Sequence, residues 1–272
     1  MKDCGRWLWT LALLALPSSV AAALQPQAPT VLITGANRGI GFELARQYAA
    51  RGWNVIATTR RAPEDAGVAA LRSLASQHPQ VAIERIDVTD TAMIRAVAAK
   101  YRDQPIDVLI NNAAAVEETF AADMQAGMIP YDKIDFDAAR HDFDVNALGP
   151  MRMVQAFTSN IEHSKQKKIA TITSLAGSFA HPLPGATAMN YSASKAALNK
   201  YMVMLAFAMT PKGVMVGLFQ PIFVASKRDM IGMRGAAPVD QEVAKLIQLI
   251  DTMTPERNGK ITNFQTGQID PF

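Results

Sequence analysis

The segment from Tyr191 to Lys195 carries the residue types of a proton-transfer site. The phenol and the ammonium stand at positions i and i+4, which places both side chains on one face of a predicted helix. A nearby cation favours the phenolate form and is expected to lower the tyrosine pKa from about 10 towards the working pH. Such a phenol can protonate a carbonyl oxygen as hydride reaches the carbon, or act as the base in the reverse reaction.

Two polar residues upstream are candidates for the same reaction. Ser174 follows a predicted strand and offers a hydroxyl to the same carbonyl oxygen. Asn146 lies within a predicted helix, where it either holds a water linked to Lys195 or is only a polar surface residue. Together with Tyr191 and Lys195, these residues are the candidate catalytic group.

A glycine-rich loop, from Thr34 to Gly41, joins the first predicted strand to the first predicted helix. Glycines allow positive φ angles and let the backbone approach a pyrophosphate, whose charge is met by amides at the helix N-terminus. Directly after a β-strand, the pattern predicts a dinucleotide site. The candidate cofactor-binding residues in this loop are Gly35, Asn37, Arg38, Gly39, Ile40 and Gly41.

The end of the second predicted strand indicates which dinucleotide is preferred. Its sequence is Thr58-Thr59-Arg60-Arg61, where an NAD-preferring site would carry an acid for the ribose hydroxyls. The planar guanidinium groups of Arg38 and Arg60 are suited to a 2′-phosphate, the alternative being that both are exposed surface arginines. The sequence therefore favours NADP(H) over NAD(H).

Further cofactor candidates follow the third and fourth predicted strands. Asp87, followed by Val88, can accept a hydrogen bond from an adenine amino group. Asn111, Asn112 and Ala113 end the fourth strand, where they are expected to line the cofactor and brace the sheet.

Alternating strands and helices are predicted to position these residues. The predicted strands are 30–34, 54–58, 81–86, 107–110, 168–173, 214–219 and 260–264, and the predicted helices are 40–51, 64–77, 90–101, 137–162, 192–209 and 239–252. Strands that alternate with helices form βαβ units with right-handed crossovers. The expected fold is a single α/β domain, a Rossmann-type, doubly wound parallel sheet with helices on both faces.

Composition excludes several other classes of protein. The 272 residues are 49% hydrophobic and 19% charged, which excludes disorder. The net charge is only +3 and forms no basic stripe, so no nucleic-acid partner is expected. One cysteine, Cys4, and four widely separated histidines predict no metal site.

The N-terminus is expected to be a separate segment. Lys2 and Arg6 precede the apolar run from Trp7 to Leu16, and small residues follow up to Ala23, which is typical of a Sec signal peptide. Residues 1–23 are predicted to be that signal, 24–29 a short tether, and 30–272 the catalytic domain. The expected location is exported, periplasmic or secreted. The alternatives are membrane anchoring by an uncleaved N-terminus and a cytosolic protein.

Taken together, these motifs resemble the short-chain dehydrogenase/reductase family over nearly all of the chain after Thr30. The resemblance implies a Rossmann fold, an NAD(P)(H) cofactor, a catalytic tetrad of Asn146, Ser174, Tyr191 and Lys195, and ribose binding by Lys195. It also implies cofactor contacts from three residues after the sixth strand, Pro221, Val224 and Ser226. The long Ser174-to-Tyr191 spacing and Asn258-Gly259-Lys260 are similar to the C-factor and sniffer-like carbonyl reductases.

The expected function is therefore NADPH-dependent hydride transfer to a small apolar ketone or aldehyde, or from the alcohol in reverse. The expected partners are this small-molecule substrate and a second copy of the chain, docked through the two long helices. The alternative is an exported nucleotide-binding signalling factor with little or no turnover, which the C-factor resemblance suggests.

Overall fold

The computed structural model describes residues 24–115, 131–181, 188–221, 224 and 236–272. The predicted signal peptide, residues 1–23, and the cofactor candidate Ser226 lie outside the described residues.

The described residues form a single, mostly parallel sheet of eight strands in the order β3-β2-β1-β4-β5-β6-β7-β8. The strands are β1 (Thr30–Ile33), β2 (Asn54–Thr59), β3 (Val81–Arg85), β4 (Val108–Asn111), β5 (Lys168–Ile172), β6 (Met215–Gln220), β7 (Ile261–Asn263) and β8 (Ile269–Asp270). Only β8 is antiparallel to its neighbour within this sheet. The order reverses between β1 and β4, which is where α/β sheets of this type bind ligands.

Helices cover both faces of the sheet. They are α1 (Gly39–Ala50), α2 (Ala69–Gln77), α3 (Thr91–Lys100), α4 (Phe136–Phe143), α5 (Gly149–Glu162), α6 (Met189–Met209) and α7 (Val239–Asp251). Successive residues of β1 point to opposite faces, so Val31 and Ile33 pack with α1, α2 and α7, whereas Leu32 packs with α3, α5 and α6. Because helices cover both faces of the sheet, both sides of β1 are buried, and apolar residues follow one another along the strand without alternating with polar ones. The predicted Rossmann-type doubly wound sheet is confirmed.

Two predicted helices differ from those observed in their course, and α6 begins three residues before its predicted start at Ser192. The predicted helix 64–77 is wrong in its first turn, because α2 begins only at Ala69. The Asp65 side chain accepts from the Gly67 amide at 2.6 Å and closes a separate turn before the helix starts. The predicted helix 137–162 is interrupted by a π-helical turn, Asp144–Leu148. Pro150 follows this turn at the start of α5 and lacks the amide that an uninterrupted α-helix would use.

The short strand β8 was not predicted, since two residues carry no periodicity.

Residues 24–29, the predicted tether, approach the sheet through Asn54. The Asn54 side chain accepts from the Gln25 amide at 2.7 Å and donates to the Gln25 carbonyl at 2.8 Å.

Candidate active site

The predicted site residues meet at the carboxyl ends of three neighbouring strands. The glycine-rich loop follows β1, Asn112 follows β4, and Ser174 follows β5. Because β1 pairs with β4 and β4 pairs with β5, all in parallel, these chain segments leave the sheet at one edge. The strand pairing thus brings residues that are far apart in sequence into one site.

The glycine-rich loop has a conformation that side chains would disrupt. Gly35 and Gly39 have φ angles of +67° and +58°, which L residues rarely adopt. A Cβ on Gly41 would lie 2.3 Å from the Gly35 carbonyl oxygen, and one on Gly35 would lie 3.0 Å from the Ala113 Cα. Arg38 is the N-cap residue of α1, and its side chain makes no capping hydrogen bond. The first backbone amides of this helix are therefore not occupied by a cap and can donate to a ligand. The backbone forms a cradle suited to a phosphate group.

Asn112 braces this loop against the end of β4. Its Nδ2 donates to the carbonyl oxygens of Thr34 at 2.9 Å and Gly35 at 3.2 Å. The Thr34 hydroxyl in turn accepts from the amides of Asn112 and Ala113, both at 3.0 Å. These hydrogen bonds tie the glycine-rich loop to the end of β4, and the contact of this segment with a cofactor stays a prediction.

The other two side chains predicted in the loop contact the protein itself. Asn37 Nδ2 donates to the Gly67 carbonyl at 3.3 Å, which ties the loop to the turn before α2. Ile40 is half-buried against the core that α1 covers.

The adenine-side candidates lie at the end of β3. One carboxylate oxygen of Asp87 accepts from the Thr89 amide at 2.9 Å and from the Thr89 hydroxyl at 2.7 Å. Burial opposes its ionisation, but these hydrogen bonds and the nearby Arg60 hold the pKa of Asp87 below its usual value. Val88 is buried against Gly149, on which a Cβ would lie 2.8 Å from the valine side chain.

The basic residues next to this end of the sheet differ in their partners. Arg61 forms a salt bridge with Asp65 at 3.1 Å, whereas Arg38 and Arg60 form none with any residue that the structure describes. Both of these side chains are exposed. Their guanidinium groups are accessible to an anionic ligand.

Ser174, Tyr191 and Lys195 come together as predicted. Ser174 lies close enough to the Tyr191 hydroxyl to lower the pKa of that phenol. Lys195 Nζ lies 5.6 Å from the centre of the Tyr191 ring and donates to the Ile172 carbonyl at 3.1 Å. A hydroxyl, a phenol and an ammonium therefore converge at the end of β5.

The pKa of Tyr191 differs from the prediction. Burial is the largest influence and raises it, the hydrogen bond from Ser174 lowers it, and the carboxylate of Asp142 raises it further. The predicted lowering by Lys195 is wrong for this structure, because desolvation of the phenolate outweighs it. Burial lowers the pKa of Lys195 to about 8, and Asp142 opposes that change. Near neutral pH, Tyr191 is a protonated acid beside a mostly charged Lys195.

Asn146 lies in the π-helical turn and is fully buried. Its side chain accepts from the Ala115 amide at 2.8 Å and donates to the Ala115 carbonyl at 2.9 Å and to the Ser194 hydroxyl at 3.0 Å. Asn146 is therefore a buried residue and not a surface residue. Its hydrogen bonds join the segment after β4 to α6. Its link to Lys195 through a water stays a prediction.

Sequence reasoning missed Asp142, a buried acid in α4 that raises the pKa of both Tyr191 and Lys195. Helix α4 packs against α6, which carries that pair. No motif in the sequence marks Asp142, because its approach to the pair depends on the packing of α4 against α6.

We expect the Asp142→Asn substitution to shift the pH dependence of turnover. In the wild type, the turnover rate should fall above about pH 8, where Lys195 loses its proton. Removing the negative charge at residue 142 lowers the pKa of Lys195, so the fall should begin at lower pH. The measurement is kcat/KM between pH 6 and 10. The control is Asp137→Asn, which removes an exposed carboxylate from the same helix. Superimposable profiles for all three proteins would contradict this role.

The residues predicted after β6 are only partly described. Pro221 directly follows β6 and is half-buried. Val224 is buried in the core and forms a parallel bridge with Ala237. The contact predicted for Ser226 lies outside the described residues.

The described residues offer neither a metal centre nor a membrane span. Across these ranges, no cluster of three or more His, Cys, Asp or Glu residues is arranged to hold a metal ion. Within the same part of the chain, no helix combines the length and apolar character needed to cross a bilayer.

Known proteins share this sequence pattern and fold. A family model for short chain dehydrogenase matches residues 29–231. The short-chain dehydrogenase srdF of Neurospora crassa is 30% identical over 259 residues, which cover 89% of this chain and 97% of that protein. The C-signal protein of Myxococcus xanthus is 30% identical over 176 residues, which cover 65% of this chain and 99% of that protein.

A solved structure shows the same fold. The NADPH-bound carbonyl reductase from chicken fatty liver superposes with a TM-score of 0.79 at 26% identity, covering 90% of this chain and 99% of that one. The family match spans both the glycine-rich loop and the Tyr191–Lys195 helix. This chain therefore belongs to the short-chain dehydrogenase/reductase family of oxidoreductases.

Proposed function

We propose that this protein is an NADPH-dependent carbonyl reductase. The observation that carries the proposal is the convergence of Ser174, Tyr191 and Lys195 at the end of β5, beside the glycine cradle after β1. The chicken carbonyl reductase, whose structure contains NADPH, supports the same choice of cofactor and reaction.

The chain has the groups needed to hold the cofactor. The cradle formed by Gly35, Gly39 and Gly41 has no room for a Cβ at Gly41, as expected where backbone amides approach a pyrophosphate. Asp87 would accept from the adenine, and Lys195 would bind the ribose. Arg38 and Arg60 would hold the 2′-phosphate, since neither is engaged in a salt bridge within the described ranges. When bound, the nicotinamide supplies the hydride.

The protein's own residues handle the proton. The Tyr191 hydroxyl donates its proton to the carbonyl oxygen, which gains negative charge as the carbon is reduced. The Ser174 hydroxyl donates a hydrogen bond to the same oxygen and so orients it. The Lys195 ammonium stabilises the phenolate that remains, which lies in a desolvated site. A water held near Asn146 would return a proton to Tyr191.

The proposed substrate is a small apolar ketone or aldehyde. Phe179 lies five residues after Ser174, and its ring is 83% exposed. On the loop that leaves the catalytic serine, this exposed ring offers an apolar contact for such a substrate.

The direct test is a panel of ketones and aldehydes, assayed with purified protein and either NADPH or NADH. We expect turnover with NADPH on apolar members of the panel. Absence of turnover on every member, with NADPH bound, would favour the signalling alternative. The intact contact between Ser174 and Tyr191 argues against that alternative, because a protein that only binds a nucleotide does not need it.

We expect Arg60→Asp to shift the cofactor preference from NADPH towards NADH. A charged hydrogen bond contributes about 1.5–3 kcal/mol, so the kcat/KM ratio of NADPH to NADH should fall about tenfold or more. Arg61→Asp is the matched control, because Arg61 already pairs with Asp65. An unchanged ratio in Arg60→Asp would assign that residue to the solvated surface.

We also propose a homo-oligomer formed through α5 and α6. Exposed apolar side chains on α6 support this interface, namely Tyr201, Met204 and Phe207. They recur at a spacing of three residues, whereas Met202 and Met209 of the same helix are buried in the core. Light scattering of the purified protein would give the oligomeric state, and a monomer at micromolar concentration would refute the proposal.

We propose, finally, that the protein is exported by a signal peptide at residues 1–23. The basic residues Lys2 and Arg6, followed by an apolar run and Ala21 to Ala23, support this location. Cell fractionation with N-terminal sequencing tests it. An intact Met1 on cytosolic protein would refute export, and an intact Met1 in the membrane fraction would indicate an anchor.

A further inference from the structure

Residues 271 and 272 contact the loop that leaves the catalytic serine. The Ser178 hydroxyl donates to the Pro271 carbonyl at 3.3 Å, and the Ala180 amide donates to the Phe272 carbonyl at 2.9 Å. This loop is short and continuous with the site. The Gly177 amide donates back to the Ser174 carbonyl at 3.0 Å, so residues 174–177 form a hydrogen-bonded turn that leads directly into residues 178–180.

The preceding residue, Asp270, is hydrogen-bonded to the end of β6. Gln220 is buried, and its Nε2 donates to an Asp270 carboxylate oxygen at 2.7 Å. Gln220 directly precedes Pro221, where the chain leaves the sheet on the cofactor side. Asp270 thus joins the segment 269–272 to the strand end before the predicted cofactor loop.

Helix α6 holds the opposite side of the serine loop. Asn199 Nδ2 donates to the Gly177 carbonyl at 3.1 Å. A Cβ on Gly177 would lie 2.7 Å from the Lys195 carbonyl carbon, so the loop backbone is in close contact with the catalytic helix. The loop is therefore held between α6 and residues 271–272.

We propose that residues 270–272 form a strap that fixes the loop carrying Ser174 relative to the end of β6, and that Asp270 is the positioning residue of this strap. The inference rests on the proposed function, because Ser174 and the cofactor must be aligned for carbonyl reduction. Asp270 acts on the reaction only through Gln220 and the strap.

The physical requirement is the alignment of two segments that meet at the substrate. Ser174 must stay within hydrogen-bond reach of a carbonyl oxygen whose carbon faces the cofactor. Small displacements of such groups are costly, since a misplacement of about 1 Å can lower a rate by about 10²-fold. Losing the Asp270 acceptor also leaves the buried Gln220 amide without the partner seen here, which favours movement of this strand end.

The test compares Asp270→Leu with Asp270→Asn, which retains a side-chain acceptor, and with Gln268→Ala, an exposed change in the same hairpin. We expect Asp270→Leu to lower kcat about tenfold, and Asp270→Asn and Gln268→Ala to stay within about twofold of the wild type. The dissociation constant of NADPH should change less than kcat. Hydrogen exchange should accelerate at residues 177–180 in Asp270→Leu only.

The exchange measurement separates this proposal from the proposed function. If the wild type reduces no carbonyl, the proposed function fails, and the strap is judged on exchange at residues 177–180 alone. Unchanged exchange there in Asp270→Leu would overturn the strap, as would equal losses of kcat in Asp270→Leu and Asp270→Asn. If Asp270→Leu does not fold, Ser178→Ala removes one strap contact, and it should give a smaller change in the same direction.

Discussion

Replacing Tyr191 by phenylalanine is expected to lower kcat for carbonyl reduction by about 10²–10⁴-fold, the usual contribution of a general acid. The substitution removes only the hydroxyl that donates the proton and that contacts Ser174. The aromatic ring stays beside Lys195, so the dissociation constant of NADPH should change little. The measurement is steady-state kinetics on the best substrate of the carbonyl panel, with NADPH binding followed by fluorescence.

The matched control is Tyr201→Phe, which removes a phenol from an exposed position on the same helix. It should leave both kcat and cofactor binding unchanged. Turnover by Tyr191→Phe within a few-fold of the wild type would refute the assignment of Tyr191 as the acid. Loss of NADPH binding in that variant would mean that the hydroxyl supports the structure of the site instead.

Gly41→Ala is expected to abolish tight cofactor binding. The added methyl group would lie 2.3 Å from the Gly35 carbonyl oxygen and 2.5 Å from Asn112 Nδ2, so the loop must shift. Overpacking of this kind lowers the free energy of unfolding by about 1–3 kcal/mol. Loss of two charged hydrogen bonds to phosphate, each about 1.5–3 kcal/mol, would raise the dissociation constant of NADPH by about 10²-fold or more.

Gly67→Ala is the control for this second prediction. A Cβ on Gly67 also makes close contacts, at 3.1 Å to the Arg61 side chain and to Asp65 Oδ1, but these are side-chain atoms near the surface and none is nearer than 3.0 Å. We expect its NADPH affinity and melting temperature to stay near those of the wild type. Equal NADPH affinity in Gly41→Ala and the wild type would show that the glycine-rich loop does not hold the cofactor.

Local pattern was sufficient to predict most of the fold. The seven parallel strands were predicted to within about two residues at each end, because buried β-branched runs alternate with longer helical segments. The errors occurred where one side chain or one short pairing decides the structure. The Asp65 side chain closes a turn, so that α2 begins later than predicted. A π-helical turn precedes Pro150 and interrupts the predicted helix. The two residues of β8 form a strand by pairing with the edge of β7.

The sequence by itself determined which chemistry is available. The glycine spacing, Ser174, and the Tyr191–Lys195 pair follow from residue type and from helix or strand periodicity, which act over a few residues. Two properties of the same site were decided only by the tertiary structure. Burial raises the pKa of Tyr191, and Asp142 reaches the catalytic pair from another helix. Desolvation and long-range charge depend on which segments pack together, and no spacing along the chain contains that information.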